Sequence, residues 1–321
     1  MRAWRFHETG GIGNLRLEEA PMPEPGPGEA LVKVACAALN PADRYLVAGQ
    51  YPRAGKPPFT PGRDGSGTVA RPAEGGRFAA GEAVCLLGGL TGISTQGTFA
   101  EYCAVPEEWL APVPAGWSME EAAAGPLVLL TAWRALRVRG GLAAGETVLV
   151  TGASGGVGLA AVMLARSLGA RVVALSRSPE KRKKLEELGA VALDASAPGL
   201  DREIRGVGRI DLVVENLGGP WIDFSLRAAA PGGRVMVVGL LAGLGAEVTV
   251  GLLIHKNLRV EGLSVSAYTP GEAGEAWEEL RTGLAREGLR PVIDSVHSFG
   301  ELQAAFARLH AGPLGKVLIR M

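Results

Sequence analysis

A glycine cluster joining two unlike patterns constrains this chain more than any other feature. In TVLVTGASGGVG, residues 147–158, an apolar β-branched run ends in closely spaced glycines, and GLAAVMLARSLG then continues with apolar residues at helical spacing. A strand, a tight turn and a helix in that order receive a dinucleotide pyrophosphate. Ala153, Gly155 and Gly158 hold the fixed positions of an A-x-G-x-x-G fingerprint, with Ser154, Gly156 and Val157 between them. Gly155 and Gly156 put no side chain between backbone and phosphates, and Gly158 lets the helix pack closely on the strand. The open N–H groups of the first helical turn face the negative charge. The second strand, RVVAL (171–175), ends where the adenosine ribose is read, and an NAD site places Asp or Glu there. This chain has Ser176, then Arg177, and Lys181 one turn on. A planar guanidinium and an ammonium suit a 2′-phosphate, so the expected cofactor is NADPH. Part of the basic run from Arg177 to Lys184 is expected to be a solvated helix face.

The surrounding pattern extends the same architecture. TVLVT, RVVAL, IDLVVE (210–215), RVMVVG (234–239) and NLRVEGL (257–263) read as strands, and GLAAVMLARSLG, SPEKRKKLEELG and WIDFSLRAAA read as helices between them. Near-continuously apolar strands separated by helices predict an α/β unit, a parallel sheet covered on both faces. Before about Ser118 the texture differs. There ALVKVACAAL and TFAEYCAV, punctuated by PEPGPG, KPPFTPG and EGG, predict a largely β region. The terminal FGELQAAFARLHAGPLGKVLIRM supplies one amphipathic helix and one strand, too little for a domain, and is expected to complete the N-terminal region.

Length and charge remove other classes of function. A chain of 321 residues predicts two domains, and its 33 basic and 33 acidic side chains balance. With four Tyr and no basic run interleaved with aromatics, nucleic acid is not an expected partner. MRAWRFHETGG lacks an apolar signal core and no window reaches roughly 18 uninterrupted apolar residues, which predicts a cytoplasmic protein with no membrane span. Cys36, Cys85 and Cys103, odd in number and without a C-x-x-C spacing, are expected in the core rather than in disulfides or a metal cluster.

LNPADRYLVAGQY, TPGRDGSGTV, PLVLLTAWRAL, the glycine loop, GGRVMVVG and the terminal GKVLI occur in an order that resembles the medium-chain dehydrogenase/reductase superfamily, and in particular its zinc-independent quinone oxidoreductase branch. The resemblance implies a Rossmann doubly wound parallel sheet inserted in a GroES-like, mostly β catalytic domain. The expected division is 1–117 and 263–321 for the catalytic domain and 118–262 for the NADP-binding domain. Zinc alcohol dehydrogenases of the superfamily carry a Cys ligand near the position of Asn40 and a Gly-His-Glu motif where this chain has Gly62, Arg63 and Asp64. No metal is therefore expected, and Arg63 and Asp64 are expected to pair with each other. Without a Lewis acid to stabilise an alkoxide, oxidation of a simple alcohol lacks its chemical means.

The implied reaction is NADPH-dependent reduction of quinones or α,β-unsaturated carbonyls, in which the site positions an electrophilic acceptor and steadies the developing oxyanion. By family position Asn40, Asp43, Tyr45 and Tyr51 line the substrate side and Thr131 lies at the nicotinamide. Tyr51 is the first candidate donor to the acceptor oxygen, with Asn40 and Thr131 after it. Asn40 and Asp43, between a strand and a helix-like turn, equally suit local caps. Further cofactor contacts are implied at strand ends: Asn216 and Gly218, Gly239 and Leu240, and Ser264 and Ser266. The run VTVGLLIHKNLRVEGLSV predicts a long apolar edge strand and a homodimer through it. Two alternatives stand beside the enzyme: an NADPH-binding protein of the lens-crystallin type with little turnover, and a zinc-type alcohol dehydrogenase.

Overall fold

The structure, a computed structural model, describes residues 1–51 and 53–321. Two units separate: Met1–Leu127 with Tyr268–Arg281 and Arg290–Met321, and Val128–Ala267 with Thr282–Leu289. In the first unit the strands are β1 (Arg2–Arg5), β2 (Arg16–Glu19), β3 (Glu29–Ala38), β4 (Asp64–Arg71), β5 (Ala83–Leu86), β6 (Tyr102–Pro106) and β7 (Leu110–Pro112). Helices α1 (Pro41–Val47) and α2 (Met119–Ala124) accompany them, and α3 (Pro126–Trp133) opens the second unit. That unit continues with β8 (Thr147–Val150), α4 (Gly156–Ser167), β9 (Arg171–Ser176), α5 (Pro179–Glu187), β10 (Val191–Asp194) and α6 (Leu200–Val207). It is completed by β11 (Leu212–Glu215), α7 (Trp221–Ala228), β12 (Arg234–Val237), α8 (Val250–Lys256) and β13 (Arg259–Gly262). Then follow α9 (Pro270–Glu287), β14 (Ile293–Ser298), α10 (Leu302–His310) and β15 (Lys316–Arg320).

The second unit is the doubly wound sheet that the apolar strands predict. Its six strands are all parallel, in the order β10-β9-β8-β11-β12-β13, so the chain reverses its direction of travel between β8 and β11. At such a reversal the carboxyl ends of the strands leave a crevice for a ligand. The glycine loop follows β8, at that place.

The first unit brings the C-terminal strands into the sheet built on β3, while β1 and β2 pair separately. β15 pairs antiparallel with β3, placing Leu318 opposite Ala38, and β4 and β6 also pair with β3. Phe6, Phe59, Phe99, Phe306 and Ile319 fill the core beneath it. The three cysteines are free and buried, and burial pushes their thiols up, Cys36 to about 11 and Cys85 and Cys103 to about 12, so they pack as small apolar groups.

Several elements differ from the sequence expectation. The apolar run from Val248 to Val265 is not one long edge strand: Val250–Lys256 is helical, Asn257 ends the helix in the left-handed region at φ 50°, and only Arg259–Gly262 pairs with β12. β10 and β14 also form, although VALD and IDSVHS are too short or too polar to stand out as apolar runs. The first boundary falls at 127/128 rather than 117/118, because Ala123 and Ala124 of α2 pack with Cys36, Ala38 and Leu318 of the first unit.

Candidate active site

In the second unit the glycine loop has the features needed to hold a diphosphate. Gly155 caps α4 with no side chain to accept from the helix, so the first-turn N–H groups stay available to a ligand. A Cβ on Gly158 would lie 2.4 Å from the Gly152 carbonyl oxygen and 2.7 Å from Ala153, so only glycine lets α4 come this close to the loop. A Cβ on Gly155 would meet nothing nearer than 3.5 Å within the protein. Internal packing therefore does not explain that second glycine, whereas a phosphate lying on the backbone would.

Opposite the loop, the β11 end is held by a carboxylate that sequence reasoning passed over. Glu215 is fully buried and accepts four hydrogen bonds: Thr151 Oγ1 and Ser225 Oγ donate at 2.9 Å, the Leu217 N–H at 2.6 Å and the Gly218 N–H at 2.9 Å. Thr151 in turn ties Asn216, its carbonyl accepting from the amide Nδ2 at 2.8 Å. Asn216 is thus a brace between β8 and β11. Gly218 has φ +70°, and a Cβ on Gly239 would lie 2.1 Å from the Asn216 carbonyl oxygen, so both glycines serve this close crossing of loops. Leu240 and Ser264 are exposed, and the Ser266 N–H donates to Ser264 Oγ at 3.2 Å.

At the end of β9 the basic residues divide by role. Arg182 donates to the carbonyls of Ser176 and Arg177 at 3.0 Å each and pairs with Asp194 at 3.2 Å, and Lys184 pairs with Glu187 at 3.0 Å. These are structural. Ser176 is buried at the strand end, Lys181 is half-buried in the first turn of α5, and the exposed Arg177 guanidinium forms no ion pair among the described residues.

Of the substrate-side candidates in the first unit, Asn40 bonds to a buried lysine. Lys316 Nζ donates to Asn40 Oδ1 at 2.7 Å, to Asp64 Oδ2 at 2.9 Å and to the Leu39 carbonyl at 3.1 Å. Asn40 Nδ2 donates to Asp64 Oδ2 at 2.9 Å and to the Ala38 carbonyl at 3.3 Å. The Asn40 amide is therefore engaged at both ends, which makes it a structural link and leaves it no N–H for a substrate. Asp43 Oδ2 accepts the Asn40 N–H at 2.8 Å, the capping contact at the start of α1. The ion partner of Asp64 is Lys316, not Arg63, because adjacent residues entering a strand point to opposite faces. Arg63 instead donates from Nη1 to Tyr51 Oη at 3.1 Å, and its Cζ lies 5.7 Å from the centre of that ring. Tyr51 also packs against the core, and Tyr45 is half-buried on α1. Thr131 is buried on α3, in the other unit.

Sequence comparison places this architecture. The profile of the alcohol dehydrogenase GroES-like domain matches residues 26–115 and that of the zinc-binding dehydrogenases matches 156–282. A quinone oxidoreductase of Lama guanicoe is 31% identical over 99% of this chain and 97% of its own. The chain belongs to the medium-chain dehydrogenase/reductase superfamily. Other members it resembles include an acryloyl-coenzyme A reductase of Sulfurisphaera tokodaii, 30% identical over 95% of this chain and 96% of its own. The solved quinone oxidoreductase of Thermus thermophilus, studied alone and in complex with NADPH, superposes with a TM-score of 0.87 at 36% identity, covering all of both chains. As a medium-chain dehydrogenase/reductase the protein is an oxidoreductase. Lys316 was the member of its polar cluster that sequence reasoning missed, and its signal was a lone cation opening the apolar run KVLI. Among the described residues no three His, Cys, Asp or Glu side chains converge as a ligand set, and none of the helices is long and apolar enough to cross a membrane.

Burial pushes the Asp43 carboxyl up to about 7, with neighbouring Asp64 adding to the rise and the Asn40 N–H, Arg63 and Lys316 opposing it. A carboxyl raised in the folded state stabilises the fold at low pH, and that contribution is lost as pH rises from the ordinary carboxylate range towards 7. Asp43→Asn keeps an oxygen for the Asn40 N–H but cannot ionise. Thermal unfolding at pH 5 and pH 8 is expected to show the variant gaining on the wild type as pH rises; a constant difference would mean that Asp43 keeps one protonation state across this range.

Proposed function

We propose that the protein reduces quinones or α,β-unsaturated carbonyls with NADPH, without a metal. The observation that carries this reading is the Asn40–Asp64–Lys316 cluster: at the motif positions where zinc members hold a cation with Cys and His, this chain has an amide and a guanidinium, and its own ammonium takes up the Asp64 carboxylate. The relatives named as quinone oxidoreductase and acryloyl-coenzyme A reductase support an electrophilic C=C–C=O or quinone acceptor.

NADPH, when bound, supplies a hydride from its nicotinamide. Gly155 to Gly158 would hold its diphosphate on free N–H groups, while Ser176, Arg177 and Lys181 would meet the 2′-phosphate. Gly218, Gly239, Leu240, Ser264 and Ser266 stand at carboxyl strand ends, where main-chain groups would hold the nicotinamide. Thr131 is assigned to the nicotinamide by family position alone. Tyr51 donates to the acceptor oxygen as negative charge develops there. The protein is read as cytoplasmic from its sequence, and as homodimeric since β13 leaves one edge open beside exposed Leu244, Val250, Ile254 and Val260.

Cofactor titration is expected to give tighter binding of NADPH than NADH, and Arg177→Ala should weaken NADPH by about 1.5 to 3 kcal/mol while leaving NADH unchanged. Equal loss for both would remove Arg177 from the 2′-phosphate. In steady state, oxidation of NADPH with 1,4-benzoquinone and with a 2-alkenal is expected to persist after exhaustive EDTA treatment. Inactivation by EDTA would return the zinc alternative, and intact NADPH binding without turnover would leave the binding-protein alternative. Light scattering at micromolar concentration should give twice the 33.2 kDa chain mass. A single-chain mass would overturn the dimer.

A further inference from the structure

Arg63 is held with little freedom. It is 6% exposed and sits between Gly62, whose φ of +107° is left-handed, and Asp64, the first residue of β4. A Cβ on Gly62 would lie 2.7 Å from both the Phe99 nitrogen and Thr98 Oγ1, so glycine is required beside it. On both flanks the backbone is tied, with the Thr98 N–H donating to the Gly62 carbonyl at 3.0 Å and Thr98 Oγ1 to the Asp64 carbonyl at 2.6 Å. From this fixed point the guanidinium reaches Tyr51 Oη. A guanidinium has donors only, so the phenol oxygen is the acceptor and its own hydrogen must point elsewhere. Among the described residues no group accepts that hydrogen, and Tyr51 is half-exposed.

We infer that Arg63 is the positioning residue for Tyr51, fixing its oxygen by one hydrogen bond so that the remaining O–H is presented to the carbonyl oxygen of the substrate. The inference rests on the reading of Tyr51 as donor in NADPH-dependent enone or quinone reduction. In an enone, hydride from NADPH forms the new C–H bond at the β-carbon with its two electrons, and the C=C electrons shift onto oxygen. The Tyr51 O–H bond breaks, its proton forms the enol O–H, and its electron pair stays on the phenol oxygen facing the guanidinium. A proton from water restores the phenol, and the enol tautomerises to the saturated carbonyl in water. A cation held beside the oxygen favours the transition state because charge grows there.

The test combines Tyr51→Phe, Arg63→Met, Arg63→Lys and the double variant Tyr51→Phe/Arg63→Met. In the protein alone, labelled with 13C at tyrosine Cζ, the resonance absent from Tyr51→Phe identifies Tyr51, and Arg63→Met is expected to move it. With a 2-alkenal, Tyr51→Phe should lower kcat by about 10²-fold and Arg63→Met by about tenfold or more, each with little change in KM. The double variant should be no slower than Tyr51→Phe, a non-additivity that a merely structural arginine would not produce. Arg63→Lys, which keeps charge but loses the planar reach, should recover part of the loss, and it carries the same test if Arg63→Met fails to fold as judged by lost NADPH affinity. An unmoved Tyr51 resonance, or additive losses in the double variant, would overturn the role of Arg63 while leaving Tyr51 as donor. An unchanged kcat in Tyr51→Phe would overturn the reading of Tyr51 and the inference with it.

Discussion

The first unit depends on one buried ion pair. Lys316 and Asp64 are 4% and 1% exposed, and removing two such charges from water costs several kcal/mol per ion unless their donors and acceptors are met. Here all three ammonium hydrogens are used, on Asp64, Asn40 and the Leu39 carbonyl. The contact ties the last strand of the chain to β4 and to the turn between β3 and α1. The ammonium is satisfied in this way while Asp64 Oδ1 has no hydrogen-bond partner among the described residues, so the pair fixes geometry more than it adds net stability. Its geometric consequence is that α1 starts where it does, with Asp43 on the Asn40 N–H. Arg63, directed to the other face, meets Tyr51 instead of Asp64.

The second unit has a counterpart in Glu215. There a buried carboxyl group forms no ion pair among the described residues and is held by hydrogen bonds, two from hydroxyls and two from backbone N–H groups. These bonds connect the end of β11 to Thr151 at the end of β8, the two strands between which the chain order reverses. A crevice that binds a dinucleotide must hold its rim fixed while leaving its N–H groups open, and polar anchors under the rim achieve both. In each unit a buried polar cluster braces the turns around it, and the asparagines Asn40 and Asn216 serve as links within it.

Much of this architecture is legible in the order of the residues. The glycine spacing and the apolar strands mark a strand, loop and helix of the dinucleotide-binding kind because backbone approach and open helix N–H groups are local properties, carried by neighbours in sequence. Short or half-polar elements are not legible in this way: VALD becomes a strand only because RVVAL offers it a parallel partner, and the apolar run after Thr249 becomes a helix although its β-branched residues suit a strand equally well. Tertiary pairing overrides weak local preference in such segments.

What the sequence determined by itself is the second unit's strand, glycine loop and helix, together with the return of the last strand to the N-terminal sheet. What only the tertiary structure decided is which polar residues meet. Asp64 lies next to Arg63 in sequence yet bonds to Lys316, 252 positions away, and Arg63 bonds to Tyr51, 12 positions back. The physical reason is the alternation of a strand: neighbours face opposite sides, so the partner of a buried charge is set by the strand or loop that packs there and not by the residue beside it.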